Sequence, residues 1–204
     1  TSTGGRHFEY MSEDPSLTSR VAVDYIKGIQ SQEIIATVKH FIANNHEFLR
    51  NNSNVILDER TMHEIYLPAF AAAVQKGHVR AVMSSFNWLN GEKCGDSKTL
   101  LTDILRGQLG YTGMVMSDWG GTHHMENILE SGQNIMMPNR RTFGQIVLAE
   151  WQKDPVGTEA KLDKMIAPTL TVLFEMGTWD RKLAADPAFN ETLPGHSEVA
   201  QTIA

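Results

Sequence analysis

The sequence has one cysteine, Cys94, among 204 residues, so no disulfide can form within the chain and the redox compartment is left open. No apolar run approaches the roughly 18–20 residues of a transmembrane helix, and no membrane partner is predicted. Basic residues are not in excess: 18 Lys and Arg stand against 24 Asp and Glu, a net charge of −6. With no Lys/Arg cluster either, nucleic acid is not an expected partner. The chain lacks a G-x-S-x-G elbow, a P-loop and a G-x-G-x-x-G turn, which removes the common serine-hydrolase and nucleotide signatures. It lacks repeats at solenoid spacing and low-complexity tracts. It begins at Thr1 without a charged-then-apolar leader, so the N-terminus speaks neither for nor against secretion. Asn51 and Asn190 head Asn-x-Ser/Thr triplets, a pattern short enough to arise by chance.

What is present is an ordinary folded composition, 41% hydrophobic and 21% charged, in a chain long enough for a sizeable core. Apolar residues at 17, 21, 25, 26 and 29 have helical spacing, with Ser16 as a candidate cap. Ile34 to Val38 reads as a strand running into Lys39-His40-Phe41, and a polar loop follows from Asn44 to Asn54. Asp58 caps a helix that Gly77 stops, with a kink expected at Pro68. Val79 to Ser84 is the next strand, Asn90-Gly91 a turn, and Ser97 opens a helix that Gly110 closes. Met114 to Ser117 reads as a strand buried on both faces, ending at Asp118-Trp119-Gly120-Gly121, with Thr122 as cap of the next helix. A short strand is expected over Ile135 to Met137, and helices near 142–151 and from Thr158 to Met176. Residues 181–204 are polar and read as a linker.

Strands alternating with amphipathic helices mean βαβ units around a parallel sheet. About four strands are half of what a closed (β/α)8 barrel needs, so the chain is either part of a barrel or a small open sheet. Polar groups follow the strand ends: Lys39 and His40, then Ser84, Ser85 and Asn87, then Asp118. Barrels build active sites from such ends, although an Asp there can equally cap a turn. His123-His124 with Glu126 lacks the i, i+4 spacing of two metal ligands on a helix, and His46-Glu47 lacks the second His of a zincin, so no metal and no cofactor are predicted.

Five motifs nevertheless fall into one order. They are Gly5-Arg6-His7-Phe8-Glu9-Tyr10 with Ser12-Glu13-Asp14-Pro15, Val38-Lys39-His40-Phe41 with Ala43-Asn44-Asn45, Asp58-Glu59-Arg60-Thr61, Val82-Met83-Ser84-Ser85-Phe86-Asn87 with Asn90-Gly91, and Val115-Met116-Ser117-Asp118-Trp119-Gly120. Together they closely resemble glycoside hydrolase family 3. The resemblance implies the C-terminal portion of a (β/α)8 TIM-type barrel over residues 1–180, followed by a linker toward an α/β-sandwich domain.

It also implies a retaining β-glycosidase of the β-glucosidase and β-xylosidase branch, which releases sugar from the non-reducing end through a covalent glycosyl-aspartate. Asp118 maps onto the family's nucleophile. Arg6, Lys39 and His40 map onto groups that bind sugar hydroxyls in the −1 subsite, and Arg50, Met83 and Trp119 onto its lining. A retaining mechanism pairs an ionised carboxylate with a protonated acid about 5–5.5 Å away, and Lys39 and Arg6 are expected to keep Asp118 ionised by charge pairing. The family's acid/base Glu lies in the second domain, so the expected partners are a β-glucoside or related oligosaccharide and further polypeptide supplying the first barrel strands and the acid. An open part-barrel is not expected to be stable alone. Phe86 stands where the family often has a Tyr. The loop Lys39-His40-Phe41-Ile42-Ala43-Asn44-Asn45 departs from the Lys-His-Phe-Pro-Gly-His-Gly of the N-acetylglucosaminidase branch. The alternative is a relative that binds or scaffolds carbohydrate without turnover.

Overall fold

The structure, a computed structural model, describes residues 4–45, 47–138 and 141–181. The expected linker from 182 onward, Asn190 and His46 lie outside those residues. Helix α1 (Pro15–Gln30) starts where Pro15 fixes φ, and its cap is Asp14, two residues before the Ser16 expected from the sequence. The Asp14 carboxylate accepts from the N–H groups of Ser16 and Leu17 at 2.7 and 3.3 Å. Strand β1 (Thr37–Phe41) follows, and the polar loop ends in the two-residue strand β2 (Asn54–Val55).

Asp58 caps the next helical stretch as expected, accepting from the Thr61 N–H at 2.8 Å. That stretch passes through a wide π-type turn, Met62–Tyr66, before becoming the regular helix α2 (Leu67–Gln75). At the position where a kink is expected from Pro68, the structure has a change of helix type just ahead of it. Proline has no N–H to donate, and here it stands directly after the π-type turn, as the second residue of α2.

Strand β3 (Ala81–Ser84) is followed by the hairpin β4 (Trp88–Leu89) and β5 (Glu92–Lys93), joined at Asn90-Gly91, both with positive φ. A π-type helix, Thr99–Gln108, leads to strand β6 (Met114–Ser117). The Ser97 hydroxyl accepts the Leu100 N–H at 3.1 Å and so caps that helix. The chain closes with α3 (Ile128–Ser131), α4 (Arg141–Lys153) and α5 (Pro155–Glu175), the last starting three residues earlier than expected because Asp154 caps it.

The main sheet has the order β1-β3-β6 and is parallel throughout. Its register aligns Thr37, Ala81 and Met114, then Val38, Val82 and Val115, and it shifts between Val38 and Phe41. The peptide bonds Lys39–His40 and Phe41–Ile42 in that stretch are cis. Alternation sends Val82 and Val115 into the core formed with α1, α2 and the π-type helix, where Ile26, Leu67, Leu101 and Leu105 are buried. Ala81 and Met114 point the other way, onto Val172 of α5. Both faces are covered, as a parallel sheet requires. The expected strand at Ile135 to Met137 is a single bridge from Met116 to Ile135, and no closed barrel is formed among the described residues. The fold is thus an α/β piece rather than the (β/α)8 ring, because three paired strands cannot meet end to end. No helix among the described residues is long and apolar enough to cross a membrane.

Candidate active site

The ends of β1, β3 and β6 converge on Asp118. Its side chain is 12% exposed, and its backbone N–H donates to Ser84 O at 3.1 Å, which anchors the end of β6 to that of β3. Gly121 N–H donates to Asp118 O at 2.8 Å, closing a turn in which Gly120 takes a φ of +79°. Within this turn the Trp119 N–H donates to Asp118 Oδ1 at 2.6 Å. The other oxygen, Oδ2, has no hydrogen-bond partner among the described residues and faces His40 Nε2 at 3.6 Å.

His40 is itself buried, and its Nδ1 is also unpartnered. Burial is the chief reason its imidazole is pushed down to about 4; Arg6 and Lys39 add to that, and Asp118 opposes it. The ring is therefore neutral near pH 7. Arg6 Nη2 also points at Nε2, at 3.4 Å. One nitrogen cannot both accept from Arg6 and donate to Asp118, so the two contacts compete for its tautomer.

The expected pairing of Arg6 and Lys39 with Asp118 is not what the structure holds. Both cations form ion pairs with Glu9, Arg6 through Nε and Lys39 through Nζ. Arg50 pairs with Glu47 at 2.5 Å and lays its guanidinium over the Phe86 ring, 4.1 Å from the centroid. Met83, on β3 level with Met116, is half-buried, and Trp119 is 71% exposed, turned outward beside Asp118. A groove of about 890 Å³ runs along β1, lined in part by Glu9, Lys39, His40 and Asn44, with Asp118 and Trp119 outside its lining. Of the residues singled out in the sequence, Arg6, Lys39, His40 and Asp118 thus form one linked cluster. Arg50 meets it through Glu47, whose Oε1 lies 3.8 Å from Arg6 Nη1.

Three residues outside the sequence expectation shape the surroundings. Asp96 is buried and its Oδ2 accepts from the N–H groups of His123 (3.0 Å) and His124, which pins the loop that follows Asp118. Lys93 is buried and donates to Asn51 O at 2.7 Å and Phe86 O at 3.1 Å, fastening the polar loop to the end of β3. Glu9 is the third; its i, i+3 spacing to Arg6 was visible, its contact with Lys39 was not.

In parallel α/β folds, sites are built from side chains delivered at the carboxyl ends of the strands, which is where this cluster lies. The chain belongs to glycosyl hydrolase family 3, with residues 1–142 matching the N-terminal domain of that family. A β-glucosidase of Rhizobium radiobacter is 46% identical over 156 residues, 76% of this chain and 19% of that protein. An exo-α-(1→6)-L-arabinopyranosidase of Bifidobacterium longum is 42% identical over 162 residues, 79% of this chain and 21% of that protein. The structure of β-glucosidase 3B from Thermotoga neapolitana in complex with α-D-glucose superposes with a TM-score of 0.82 at 33% identity, over 98% of this chain and 28% of that one. The chain spans about a fifth to a quarter of the length of its curated relatives.

Proposed function

We propose that this chain is the nucleophile-bearing part of a retaining β-glycosidase, with a β-glucoside or related oligosaccharide as substrate. Asp118 Oδ2 attacks the anomeric carbon as the bond to the leaving oxygen breaks, giving a glycosyl-aspartate. A general acid protonates the departing oxygen, and as its conjugate base it then takes a proton from the water that releases the sugar. Arg6, Lys39 and His40 hold sugar hydroxyls, Arg50 and Met83 line the pocket, and Trp119 offers an apolar face to a ring. The first barrel strands and the acid come from polypeptide beyond this chain, a reading supported by the fraction of its relatives that the chain covers.

One observation carries the proposal: a buried carboxylate with one oxygen held by its neighbour's N–H and the other left free. That is what an oriented nucleophile needs, since a fully bonded carboxylate must break a contact before it attacks.

The test is labelling of the complete enzyme that carries this chain with an activated 2-deoxy-2-fluoro-β-glucoside. Fluorine slows both steps, and the activated leaving group restores the first without demanding the acid, so the covalent intermediate accumulates. A fluoroglucosyl mass on the peptide containing Asp118 is the expected outcome. A label elsewhere overturns the assignment. Sugar binding without label or turnover, unchanged in Asp118→Ala, selects the non-catalytic alternative. Parallel rates on β-glucoside, β-xyloside and α-L-arabinopyranoside decide the sugar.

A further inference from the structure

Glu9 lies at the centre of the charge arrangement, and the mechanism above gives it no task. Its side chain is 14% exposed, and its two oxygens face different elements: Oε1 meets Arg6 Nε in the N-terminal segment, and Oε2 meets Lys39 Nζ on β1. Burial opposes its ionisation, but the hydrogen bond from Lys39 and the ion pair with Arg6 outweigh that and hold its carboxyl below the usual range. It is therefore an anion near pH 7.

Geometry says what that anion does. A guanidinium has two usable edges. Glu9 takes the Nε edge of Arg6 and Glu47 lies 3.8 Å from Nη1, which leaves Nη2 directed at His40 and the neighbourhood of Asp118. Lys39 stands two residues along β1 from Thr37, in the stretch where the register with β3 shifts, and its ammonium is tethered by the other Glu9 oxygen. Two cations this close would splay apart without an anion between them. Tyr10, next in the chain, donates its hydroxyl to Asn44 O at 2.9 Å and so ties this segment to the loop after β1.

We propose that Glu9 is a positioning residue that holds Arg6 and Lys39 in the orientation in which they bind sugar hydroxyls, and so sets specificity for substrates carrying those hydroxyls. This rests on the reading of the site as a glycosidase subsite. Glu9 touches the two binding cations rather than the sugar. Replacing it with Gln puts an NH2 donor where at least one cation needs an acceptor, so one of the pair loses its tether.

The experiment measures kcat and KM of the complete enzyme, with Glu9, Glu9→Gln or Glu9→Asp, on an aryl β-glucoside and its monodeoxy analogues. Glu9→Gln is expected to lower kcat/KM for the full glucoside about ten- to a hundredfold, the scale of a misplaced binding group. It is expected to cost far less on the one or two analogues that lack the hydroxyls held by Arg6 and Lys39, because those contacts are already gone and the two losses do not add. Glu9→Asp keeps the charge and is expected to recover part of the activity with the same analogue pattern; it also carries the test if the Gln variant does not fold. A loss of equal size on every analogue, or none at all, overturns the inference while leaving the glycosidase reading intact. Absence of the covalent label on Asp118 in the unmutated enzyme overturns both.

Discussion

A methyl group at residue 95 should disable the proposed site without touching Arg6, Lys39 or His40. Gly95 lies in the short turn Cys94–Asp96, and a Cβ built on it would sit 2.3 Å from Gly121 O and 3.0 Å from Gly121 C. Real Cβ atoms essentially never approach closer than 3.0 Å, so the Gly121 peptide must retreat by more than half an ångström. It has little room to do so. Gly121 N–H is bonded to Asp118 O at 2.8 Å, and two residues further on Asp96 holds the His123 and His124 N–H groups. Overpacking of this kind costs about 1–3 kcal/mol, and a backbone-on-backbone clash belongs at the upper end. Carried back to Asp118, a displacement approaching 1 Å costs about a hundredfold in rate. Gly28 is the matched control: it lies in α1, and a Cβ there meets nothing within 4 Å. Gly28→Ala should therefore stabilise by about 0.5–1 kcal/mol through helix propensity alone. Urea unfolding of the complete enzyme, with hydrogen exchange read on the peptide spanning residues 114–124, measures both. If Gly95→Ala unfolds with Gly28→Ala and that peptide exchanges at the parental rate, the packing argument is wrong.

Two further outcomes follow from the electrostatics and the hydrogen bonds. His40 binds its proton less readily in the fold, at about 4 against 6.5 for the free side chain, so the unfolded chain holds more protons between those values. Its contribution should be complete above pH 6.5, diminish as the pH falls to about 4 and be level below that, on the order of 3 kcal/mol in all; the same urea titration in His40→Gln should lose that part of the pH dependence. Arg106 donates to Gly132 O at 2.9 Å, Gly113 O at 3.0 Å and Asn134 Oδ1 at 2.8 Å, and that Asn134 oxygen also accepts the Val115 N–H of β6. Arg106→Met should cost about 2–4 kcal/mol by leaving buried acceptors unmet, and a shift below about 0.5 kcal/mol would show that water replaces the guanidinium.

The strands of the main sheet were legible because burial on both faces writes a short apolar run between glycines or charges, as in Val79 to Ser84 and Met114 to Ser117. The failures have local causes. Thr122 has the chemistry of an N-cap, but its side chain is buried against Gln133, whose Nε2 donates to its hydroxyl at 2.9 Å, and the helix starts only at Ile128. Cap preference says which residues can cap, not where a helix begins. Ile135 to Met137 is apolar enough for a strand, yet beyond the Ile135 rung the Ser117 hydroxyl accepts the Met137 N–H at 2.8 Å in place of a backbone carbonyl. A side chain thus replaces the ladder and pairing stops at one bridge. The β4–β5 hairpin could have been read, since Asn90-Gly91 is flanked by Trp88-Leu89 and Glu92-Lys93. Glu9 could not: i, i+3 from Arg6 it looks like a solvated pair, and its burial depends on Lys39, thirty residues away along the chain.

Two aspartates at turns, Asp96 and Asp118, are separated by their surroundings. Both are buried, at 4% and 8% exposure. Asp96 places one oxygen on two consecutive N–H groups and lies 3.3 Å from His124 Nδ1, which is how a structural carboxylate is stabilised in an interior. Asp118 has one oxygen bonded at 2.6 Å and one without a partner, next to a neutral His40 whose Nδ1 is also unpartnered. Each such orphan costs about 1–3 kcal/mol, so interiors rarely keep two side by side. A ligand bearing several hydroxyl groups can donate to the carboxylate with one and meet the ring nitrogen with another, which removes both costs on binding. That coincidence of unmet donor and unmet acceptor at the meeting point of three strand ends supports assigning Asp118 to chemistry and Asp96 to its scaffold.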